Sequence, residues 1–571
     1  MMMPEPEIES VQTQGVGFSP ILRYYFEKCG IAKIIDNHVP LDPRRKKLTH
    51  GEACVAMITS ILFQTLQLYR LCKFADNTTI LKTIFPHIAP KEYFDDRLED
   101  TLDALHDYGL GNLELLLTQH MIDVFKITSD ICHNDTTSAS VYGDYTNVDS
   151  NQSINITYGY SKKHRKDLKQ LVWSMSVSSD HAFPLFQKAY SGNTADVKTY
   201  LEQWHNLIDL LGKSDFLYVA DSKLITIDNM IHIQENDGYF LAPVPMYESY
   251  KTQFYSALDN HNAEILLPYK KQINRGFEVP LKITHNKDEP DEKDYVFRMI
   301  ILFDHGLFAR KKRTMDERIK KTKAAFHELK GKLNKYKLKT KAAIDKACKA
   351  ILKKYHTKDF FEYTIQNDPI ITYKNKNRGR TPKNKPVEKV KEVKDNFSVT
   401  FNFISDAHQE ALYKCGYYPL ITNKAEKDFS IEDAMMSHKK QYKSEHTYRR
   451  AKSKQKLEPI YLHKPKRIES YLFLFKLALQ VIVLIERTAR QNISERDKGL
   501  DNFMPNKKDV RNPSTEYILL EFEYIVCGHV FLPNGQTYNF VSELNGLQKD
   551  ILTILEVPYK CFTYGYLFDT S

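Results

Sequence analysis

The chain has 571 residues, of which 42% are apolar and 12% aromatic, and this globular composition excludes an intrinsically disordered protein. At this length we expect two to four domains. The formal net charge is +10, but residues 310–354 alone carry 18 Lys and Arg against 4 Asp and Glu, which is typical of a contact with a polyanion.

The compartment follows from the cysteines and the apolar runs. The 8 cysteines lie far apart without a Cys-x-x-Cys pair, which argues against a zinc ribbon or a disulfide scaffold and indicates a reducing, cytoplasmic compartment. The acidic N-terminus, Met-Met-Met-Pro-Glu-Pro-Glu, lacks the apolar core of a secretory signal. The most apolar run, 471–485, contains Lys476 and Gln480 and is too short to span a bilayer. We therefore predict a buried core helix there and no membrane contact.

The first part of the chain, 1–125, has a helical pattern from residue 18 onward. Cys29 and Gly30 interrupt its first apolar repeat, and Thr49 is placed to cap a later helix. Leu98, Leu102 and Leu105 recur at helical spacing further on. We predict a small helical domain that either recognises the end of a DNA duplex or is purely structural.

The pattern changes at about residue 127. Strands are predicted over four short segments, and a helix over 196–211 precedes the last of them. The predicted strands are 127–135, 153–160, 171–178 and 216–220. A further strand over 238–243 completes a mixed α/β sheet whose order is typical of a ribonuclease-H-like core. Residues 126–245 are therefore predicted to be the first part of that core.

The rest of the chain is predicted to be a large insertion, 246–430, followed by the second part of the core. Within the insertion, 310–354 predicts one or two long basic amphipathic helices that contact either DNA or a partner protein. The Lys- and Pro-rich stretch 371–396 predicts an exposed, mobile tether. Helical patterning returns in 431–495, and the C-terminal region 496–571 is mixed.

Two aspartates end predicted strands of the core. Asp135 lies in His133-Asn-Asp-Thr-Thr-Ser, and Asp221 lies in Tyr-Val-Ala-Asp-Ser-Lys. Carboxylates at the carboxyl ends of adjacent strands face one crevice, and their mutual repulsion favours binding of hard divalent cations. Two Mg²⁺ ions about 4 Å apart could activate a water or a 3′-hydroxyl. His133 would share a strand face with Asp135, either as a metal ligand or as a structural histidine.

A third carboxylate lies among cations in the segment 438–452. On one helix, at about 100° per residue, an arc of roughly 80° contains five of its side chains. These are His438, Gln441, Glu445, Arg449 and Lys452. Such a face suits a metal ion held beside a phosphate, although a solvated charged helix has the same pattern. Glu469 and Glu486 are competing acids on helices, and Glu469 is expected to form a surface pair with Arg467.

Together these motifs resemble those of the DDE transposases of bacterial insertion sequences, in the group whose third motif is Tyr-x2-Arg-x3-Glu-x6-Lys. Aligned on Glu445, Lys452 matches the final lysine, whereas His438 and Gln441 replace the tyrosine and the arginine. Other similar stretches are Gly159-Tyr-Ser-Lys-Lys-His-Arg-Lys-Asp-Leu, Gly192-Asn-Thr-Ala-Asp and Arg467-Ile, which opens the apolar helix. The resemblance covers nearly the whole chain.

The resemblance implies cut-and-paste transposition by an endonuclease and DNA strand transferase. Its catalytic, metal-binding residues would be Asp135, Asp221 and Glu445, with two Mg²⁺ ions that Mn²⁺ could replace. The implied DNA contacts are Lys452, Arg449 and Gln441, together with His164 and Arg165, which otherwise form a polar loop. The implied partners are double-stranded DNA, both transposon ends and target, and a second copy of the chain in a synaptic complex near the nucleoid.

Two alternatives stay open from the sequence. A catalytically inactive, transposase-derived DNA-binding protein would retain the same scaffold. A general ribonuclease-H-like nuclease would cut DNA without joining the 3′-hydroxyl to a target. The presence of all three acids favours activity.

Overall fold

A computed structural model describes residues 8–568 apart from 44–46, 66, 144, 146–153, 160–166, 196, 262, 271, 286–291, 377–387, 461 and 506. The fold is mixed α/β. The chain divides into two compact units. Unit 1 comprises Met1–Pro243, Ile283–Tyr295 and Thr422–Ser571, and unit 2 comprises Val244–Lys282 and Val296–Ile421.

In chain order, the α-helices are α1 (Ser19–Lys28), α2 (Ile31–His38), α3 (His50–Leu62), α4 (Leu71–Asn77), α5 (Ile80–Ile84), α6 (Asp95–Tyr108), α7 (Leu110–Phe125), α8 (Val197–Leu211), α9 (Ile227–Glu235), α10 (Glu248–Asn260), α11 (His305–Lys332), α12 (Lys341–Tyr355), α13 (Ser405–Lys414), α14 (Ile431–Lys439), α15 (Tyr442–Arg449), α16 (Pro465–Ser494), α17 (Thr515–Leu520), α18 (Gly546–Ile554) and α19 (Tyr564–Phe568). The strands are β1 (Ser10–Gly15), β2 (Ile131–Val141), β3 (Lys169–Ser178), β4 (Pro184–Ser191), β5 (Leu217–Val219), β6 (Tyr239–Pro243), β7 (Ile265–Tyr269), β8 (Gln272–His285), β9 (Lys293–Phe303), β10 (Phe361–Asn367), β11 (Ile370–Asn375), β12 (Lys389–Lys394), β13 (Phe397–Phe403), β14 (Tyr417–Thr422), β15 (Val526–Phe531) and β16 (Thr537–Val541).

The predicted N-terminal helices are confirmed as α1–α7. Gly30 separates α1 from α2 with a left-handed φ of 65°, a conformation that glycine adopts at little cost. Thr49 caps α3 in a reciprocal capping box with Glu52. The three leucines at helical spacing, Leu98, Leu102 and Leu105, are fully buried on α6. Local patterning was therefore sufficient to predict this region.

The central sheet of unit 1 has the strand order β4-β3-β2-β5-β6. Strands β2, β3 and β4 are antiparallel neighbours, whereas β5 pairs parallel to β2 and β6 pairs parallel to β5. One face of the sheet packs on α16, where Trp173 meets Phe475 edge to face. The other face meets α8, where Ser176 donates a hydrogen bond to Gln203. The core therefore lies on both sides of the sheet.

Two strand predictions in this sheet need correction. The first strand does not end at Asp135, because β2 continues to Val141 through buried Thr, Ser and Ala residues that pair with β3. The predicted strand 153–160 has its ends outside the described residues, and 154–159 contribute only a bridge between Thr157 and Gln170. The strand 171–178 and the helix before β5 are confirmed as β3 and α8, although residue 196 is not described.

The apolar run predicted to be a buried helix lies in α16. By length and composition alone this helix could cross a membrane, but 94% of its most apolar window is buried inside the protein. Lys476 within it has no exposed side-chain surface and forms an ion pair of 3.2 Å with Glu114 on α7, which is 1% exposed. The prediction of a core helix is confirmed.

Unit 2 contains the strands β14, β9, β8 and β7 as neighbours in that order, and two antiparallel ribbons, β10-β13 and β11-β12. The basic segment forms two helices, as predicted. Helices α11 and α12 pack through buried residues on the β10-β13 ribbon, among them Leu329, Ile344, Cys348 and Val399. The predicted tether is exposed in its described residues, as expected, but these form a two-stranded ribbon, β11-β12, and 377–387 lie outside the described residues.

Candidate active site

Asp135 and Asp221 come from neighbouring parallel strands of unit 1. The pairing of β2 with β5 aligns Cys132 with Tyr218 and His133 with Val219. The Ala220 N–H donates to the Leu241 carbonyl of β6 at 3.2 Å, and Asp221 follows directly after it. Asp135 lies on β2 two residues beyond the last pair of this register, and Asp221 lies two residues beyond the end of β5.

Both carboxylates are held by specific donors. The Tyr200 hydroxyl on α8 donates to Asp221 Oδ1 at 2.7 Å, and the Lys223 backbone N–H donates to the same oxygen at 2.8 Å. The Thr136 N–H donates to Asp135 Oδ1 at 2.7 Å. Burial raises the pKa of Tyr200 well above its usual range, and the charges of Asp221 and Asp135 raise it further. Tyr200 therefore lies in the field of both aspartates and stays a proton donor.

Helix α15 is attached directly over β2. The Tyr448 hydroxyl donates to the carbonyl oxygens of Asp135 at 2.8 Å and of Trp173 at 3.1 Å. Further along the chain, Lys452 Nζ donates to Thr137 Oγ1 at 2.7 Å and to the Ser138 carbonyl at 2.6 Å. The helix that carries Glu445 is thus fixed to the strand that carries Asp135. Lys452 is part of this attachment.

The single cationic face predicted over 438–452 is not formed as one helix. Helix α14 ends at Lys439, α15 begins at Tyr442, and a π-helical turn follows over Arg450–Lys454. Gln441 lies in the connection between the two helices, so it does not continue the α15 face. His438 belongs to α14, and burial together with the charge of Lys439 lowers its pKa to about 4. The prediction of one continuous helix was wrong. Lys440 and Gln441 form a turn between α14 and α15, although both residues have right-handed helical backbone angles.

Glu445 is exposed on α15. The buried line of this helix is formed by Ser444, Thr447 and Tyr448. At about 100° per residue, Glu445 projects roughly 100° to one side of that line. On the opposite flank, Arg450 Nη2 lies 2.5 Å from Glu486 Oε2 of α16. Glu445 therefore occupies the flank that faces away from α16.

The remaining predicted contacts are placed as follows. Arg449 is exposed on α15 and bonds to the His446 ring. His164 and Arg165 lie outside the described residues. Of the competing acids, Glu486 is 8% exposed and pairs with two arginines, and Glu469 accepts from the Ile154 N–H. The expected surface pair of Glu469 with Arg467 is not formed, since Arg467 pairs with Glu99 and Asp103.

His133 lies on β2 with no exposed surface, on the same strand face as Asp135. Neither ring nitrogen has a hydrogen-bond partner among the described residues. Burial lowers its pKa to about 3, and the nearby positive charges of Lys443 and Lys440 add to the effect. The ring is therefore neutral. It is neither the hydrogen-bonded structural histidine nor, among the described residues, a member of a metal-binding group.

Sequence reasoning missed Tyr200 and Tyr448. Tyr448 follows Glu445 by three residues, so its position one helical turn away was a usable signal. Tyr200 gave no local signal, because its contact with Asp221 spans 21 residues and depends on how α8 packs against the sheet.

The oxygen donors fit a divalent cation in part. Asp135 and Asp221 are hard carboxylate ligands on neighbouring strands, which suits Mg²⁺ or Mn²⁺. Among the described residues, however, there is no group of three or more His, Cys, Asp or Glu side chains that could hold a metal ion. Glu445 is thus on the adjacent helix without joining the two aspartates.

Comparisons with known proteins add little to this site. A family model described as a domain of unknown function, DUF4277, matches residues 11–118, which include most of β1, helices α1–α6 and the first part of α7. No curated protein matches the chain. One similar solved structure is a piggyBac transposase synaptic complex with hairpin DNA, at 10% identity and a TM-score of 0.25, covering 47% of this chain and 60% of that chain. The chain thus spans less than two thirds of that protein, and this TM-score does not establish a shared fold.

Proposed function

We propose that the chain is a transposase-related enzyme that cleaves DNA ends and transfers strands by phosphoryl transfer. The observation that carries this proposal is that Asp135 lies on β2 and Asp221 follows β5, its parallel neighbour, with the Glu445 helix attached over β2. Two carboxylates from neighbouring strands and a third on a packed helix are the arrangement that the DDE resemblance implies.

The strand order supports a ribonuclease-H-like core. Three antiparallel strands, β4-β3-β2, are followed by β5 and β6 parallel to β2, with α8 leading into β5. Asp221 follows the carboxyl end of β5, where open α/β sheets have their sites, and Asp135 lies on the neighbouring strand β2. Unit 2 lies between Asp221 and Glu445 in sequence, as expected for an insertion between the second and third acids.

The position of α15 supports Glu445 as the third acid. Helix α16 lies on the β3 and β4 side of β2, since Phe475 meets Trp173 and Gln480 donates to the Pro184 carbonyl. The flank of α15 that faces away from α16 therefore faces the β5 side, where Asp221 lies. A side-chain rotation is a smaller change than a movement of the helix, and we propose that Glu445 joins the aspartates in this way when an ion and DNA are bound.

In this proposal Asp135 and Asp221 hold the divalent cations and Glu445 completes the set. When bound, such ions polarise a water or 3′-hydroxyl and stabilise the leaving oxygen. The other residues position these ligands: the Tyr200 hydroxyl and the Lys223 N–H orient Asp221, and the Thr136 N–H orients Asp135. Tyr448 and Lys452 hold α15 on β2, which limits the distance that Glu445 must cover.

The partner is double-stranded DNA. Arg449 is exposed on the Glu445 helix and can reach phosphate oxygens, and helices α11 and α12 of unit 2 carry most of the excess positive charge of the chain. Gln441, Lys452, His164 and Arg165 are further proposed contacts. Because an element has two ends, we propose that two copies of the chain act together in a synaptic complex.

One observation favours the alternative, a catalytically inactive DNA-binding relative. The described residues contain no group of three potential metal ligands, as an inactive protein would not need one. The two functions differ in whether the protein cleaves DNA: the enzyme does so through its three acids, and the inactive relative only binds DNA.

The test is cleavage of a labelled duplex that carries the DNA flanking the gene, with Mg²⁺ or Mn²⁺. We expect metal-dependent cleavage and joining by the wild type, and losses of at least about 10³-fold in Asp135→Asn, Asp221→Asn and Glu445→Gln. Glu469→Gln is the matched control and keeps activity. DNA binding without cleavage by the wild type would establish the inactive alternative, and cutting without joining would indicate a general nuclease.

A further inference from the structure

A cavity of about 650 Å³ lies in unit 1 between α15 and α16. Its apolar floor is formed by buried residues of α16, Leu479 and Val483. One wall is Tyr442 of α15, whose ring is 51% exposed. Cavities of this size typically hold small molecules or single nucleotide units. Glu445 is not among the lining residues, so this space is separate from the proposed metal site.

The walls carry more positive than negative charge. Five cationic residues line the cavity against two acids, and these seven are Lys443, Arg449, Arg450, Lys454, Arg490, Glu486 and Glu516. Both acids are already paired: Arg450 contacts Glu486 at 2.5 Å and Glu516 at 2.9 Å, and Arg490 contacts Glu486 at 2.7 Å. Of the other three cations, Lys443 Nζ donates to the Ser179 carbonyl at 2.8 Å and Arg449 bonds to the His446 ring, so neither engages an acid in these bonds.

Positive charges in and near the cavity act on its titratable groups. Partial burial lowers the pKa of Lys443, and the charges of Lys440 and Arg490 add to this effect while Asp180 opposes it. Partial burial likewise lowers the pKa of His446, helped by Arg449 and Arg450. Cations held in a cavity under mutual repulsion are stabilised when an anion enters.

We propose that this cavity binds a nucleotide unit through its phosphate, with Lys443, Arg449 and Lys454 on the phosphate oxygens and Tyr442 against the sugar or base. A planar guanidinium and two ammonium groups suit a phosphate ester, and an exposed tyrosine above an apolar floor suits a ring. The proposal rests on the proposed function for its source of nucleotide, a DNA strand. A free mononucleotide has the same chemistry.

The experiment uses fluorescence anisotropy of a labelled single-stranded oligodeoxynucleotide with the full chain, between about 50 and 200 mM salt. Lys454→Gln should weaken binding and lower the slope of log affinity against log salt by about 0.7, the value for one phosphate contact on a single strand. Tyr442→Ala should weaken binding roughly tenfold through loss of stacking. Both altered side chains are exposed, so folding should be unchanged by circular dichroism.

Matched controls are Lys549→Gln on α18 and Tyr524→Ala, whose ring is 84% exposed, and both should bind as the wild type does. Competition with thymidine monophosphate distinguishes the two sources of nucleotide. If the mononucleotide competes with the oligonucleotide on the wild type but not on Lys454→Gln, the cavity takes a free nucleotide. If it does not compete and the two variants still weaken oligonucleotide binding, the cavity takes a DNA strand. If both cavity variants bind the oligonucleotide as tightly as the wild type does, the cavity proposal is overturned while DNA binding stands. If the wild type binds no DNA and no nucleotide, both fail together.

Discussion

Buried ion pairs of unit 1 differ from the ion pairs on the basic helices of unit 2. Two pairs in unit 1, Lys476 with Glu114 and Arg487 with Asp180 at 2.8 Å, have side chains less than a tenth exposed. In unit 2, pairs such as Lys332 with Glu328 lie one turn apart on an exposed helix surface. The first kind holds elements from distant parts of the chain together, whereas the second contributes little to stability.

This difference indicates what each set of charges is for. A buried charge in unit 1 is constrained by the fold, so its loss should be measured mainly as loss of stability. The cations of α11 and α12 are exposed and exceed the acids around them, so their loss should be measured mainly as loss of polyanion binding. Substitutions in both units can test this contrast.

The largest effect is expected for Lys476→Met in the core of unit 1. The substitution leaves Glu114 buried without its cation, which should lower the free energy of unfolding by about 3–5 kcal/mol. The same change at the exposed pair, Lys332→Met, should cost less than about 0.5 kcal/mol. Urea denaturation of both variants gives the comparison, and equal losses would show that the contrast between the units is wrong.

The loss in Lys476→Met should also depend on pH. Burial already raises the pKa of Glu114, and removal of the lysine raises it further. A carboxyl whose pKa is higher in the folded state destabilises the fold as pH rises above its unfolded value of about 4.3. The difference from wild type should therefore shrink as pH is lowered toward about 4, provided that the wild type itself stays folded. A constant difference would contradict the assigned role of Glu114.

A smaller effect is expected for Tyr448→Phe. The hydroxyl donates to two carbonyl oxygens of the central sheet, and its removal should cost about 1–2 kcal/mol. Because the same bonds attach the Glu445 helix to β2, cleavage should fall more than stability alone explains. Thermal denaturation and cleavage rates at a temperature where the variant is fully folded separate the two effects. Tyr524→Phe, on an exposed side chain outside both proposed sites, is the control.

Tyr200→Phe should affect activity more than folding. The variant keeps the ring packing but removes the donor to Asp221 Oδ1. Loss of a group that orients a metal ligand typically lowers metal affinity or activity about 10- to 100-fold. Raising the Mg²⁺ concentration should recover part of the rate, a response that a purely structural role would not produce. Unchanged activity at limiting Mg²⁺ would remove Tyr200 from the site.

The smallest stability effect is expected in unit 2. The double substitution Lys320→Gln and Lys321→Gln on the exposed surface of α11 should change the free energy of unfolding by less than about 0.5 kcal/mol. It should nevertheless lower the slope of log affinity against log salt for duplex DNA by about 1.8, the value for two phosphate contacts. A change in stability without a change in slope would reverse the roles assigned to the two units.

Local patterns were sufficient for several elements. The apolar repeat and the Thr49 capping box predicted α3, and the 18 cations spaced around a few apolar residues predicted α11 and α12. They failed where polar residues are buried: the Thr-Thr-Ser-Ala-Ser end of β2 has no apolar alternation, yet it pairs with β3. Local patterns also failed at Lys440 and Gln441. These residues separate α14 from α15 although both have helical backbone angles.

Residue types alone were enough to predict the three acids, the basic segment and the kinds of element that carry them. The reason is that spacing and composition act over a few neighbouring residues. The tertiary structure alone decided that Asp135 and Asp221 come from neighbouring strands, that Tyr200 donates to Asp221, and that the Glu445 helix is attached to β2. These placements depend on strand register and helix packing between residues up to about three hundred positions apart. No local pattern specifies them, since each is set by contacts that exist only after the chain has folded.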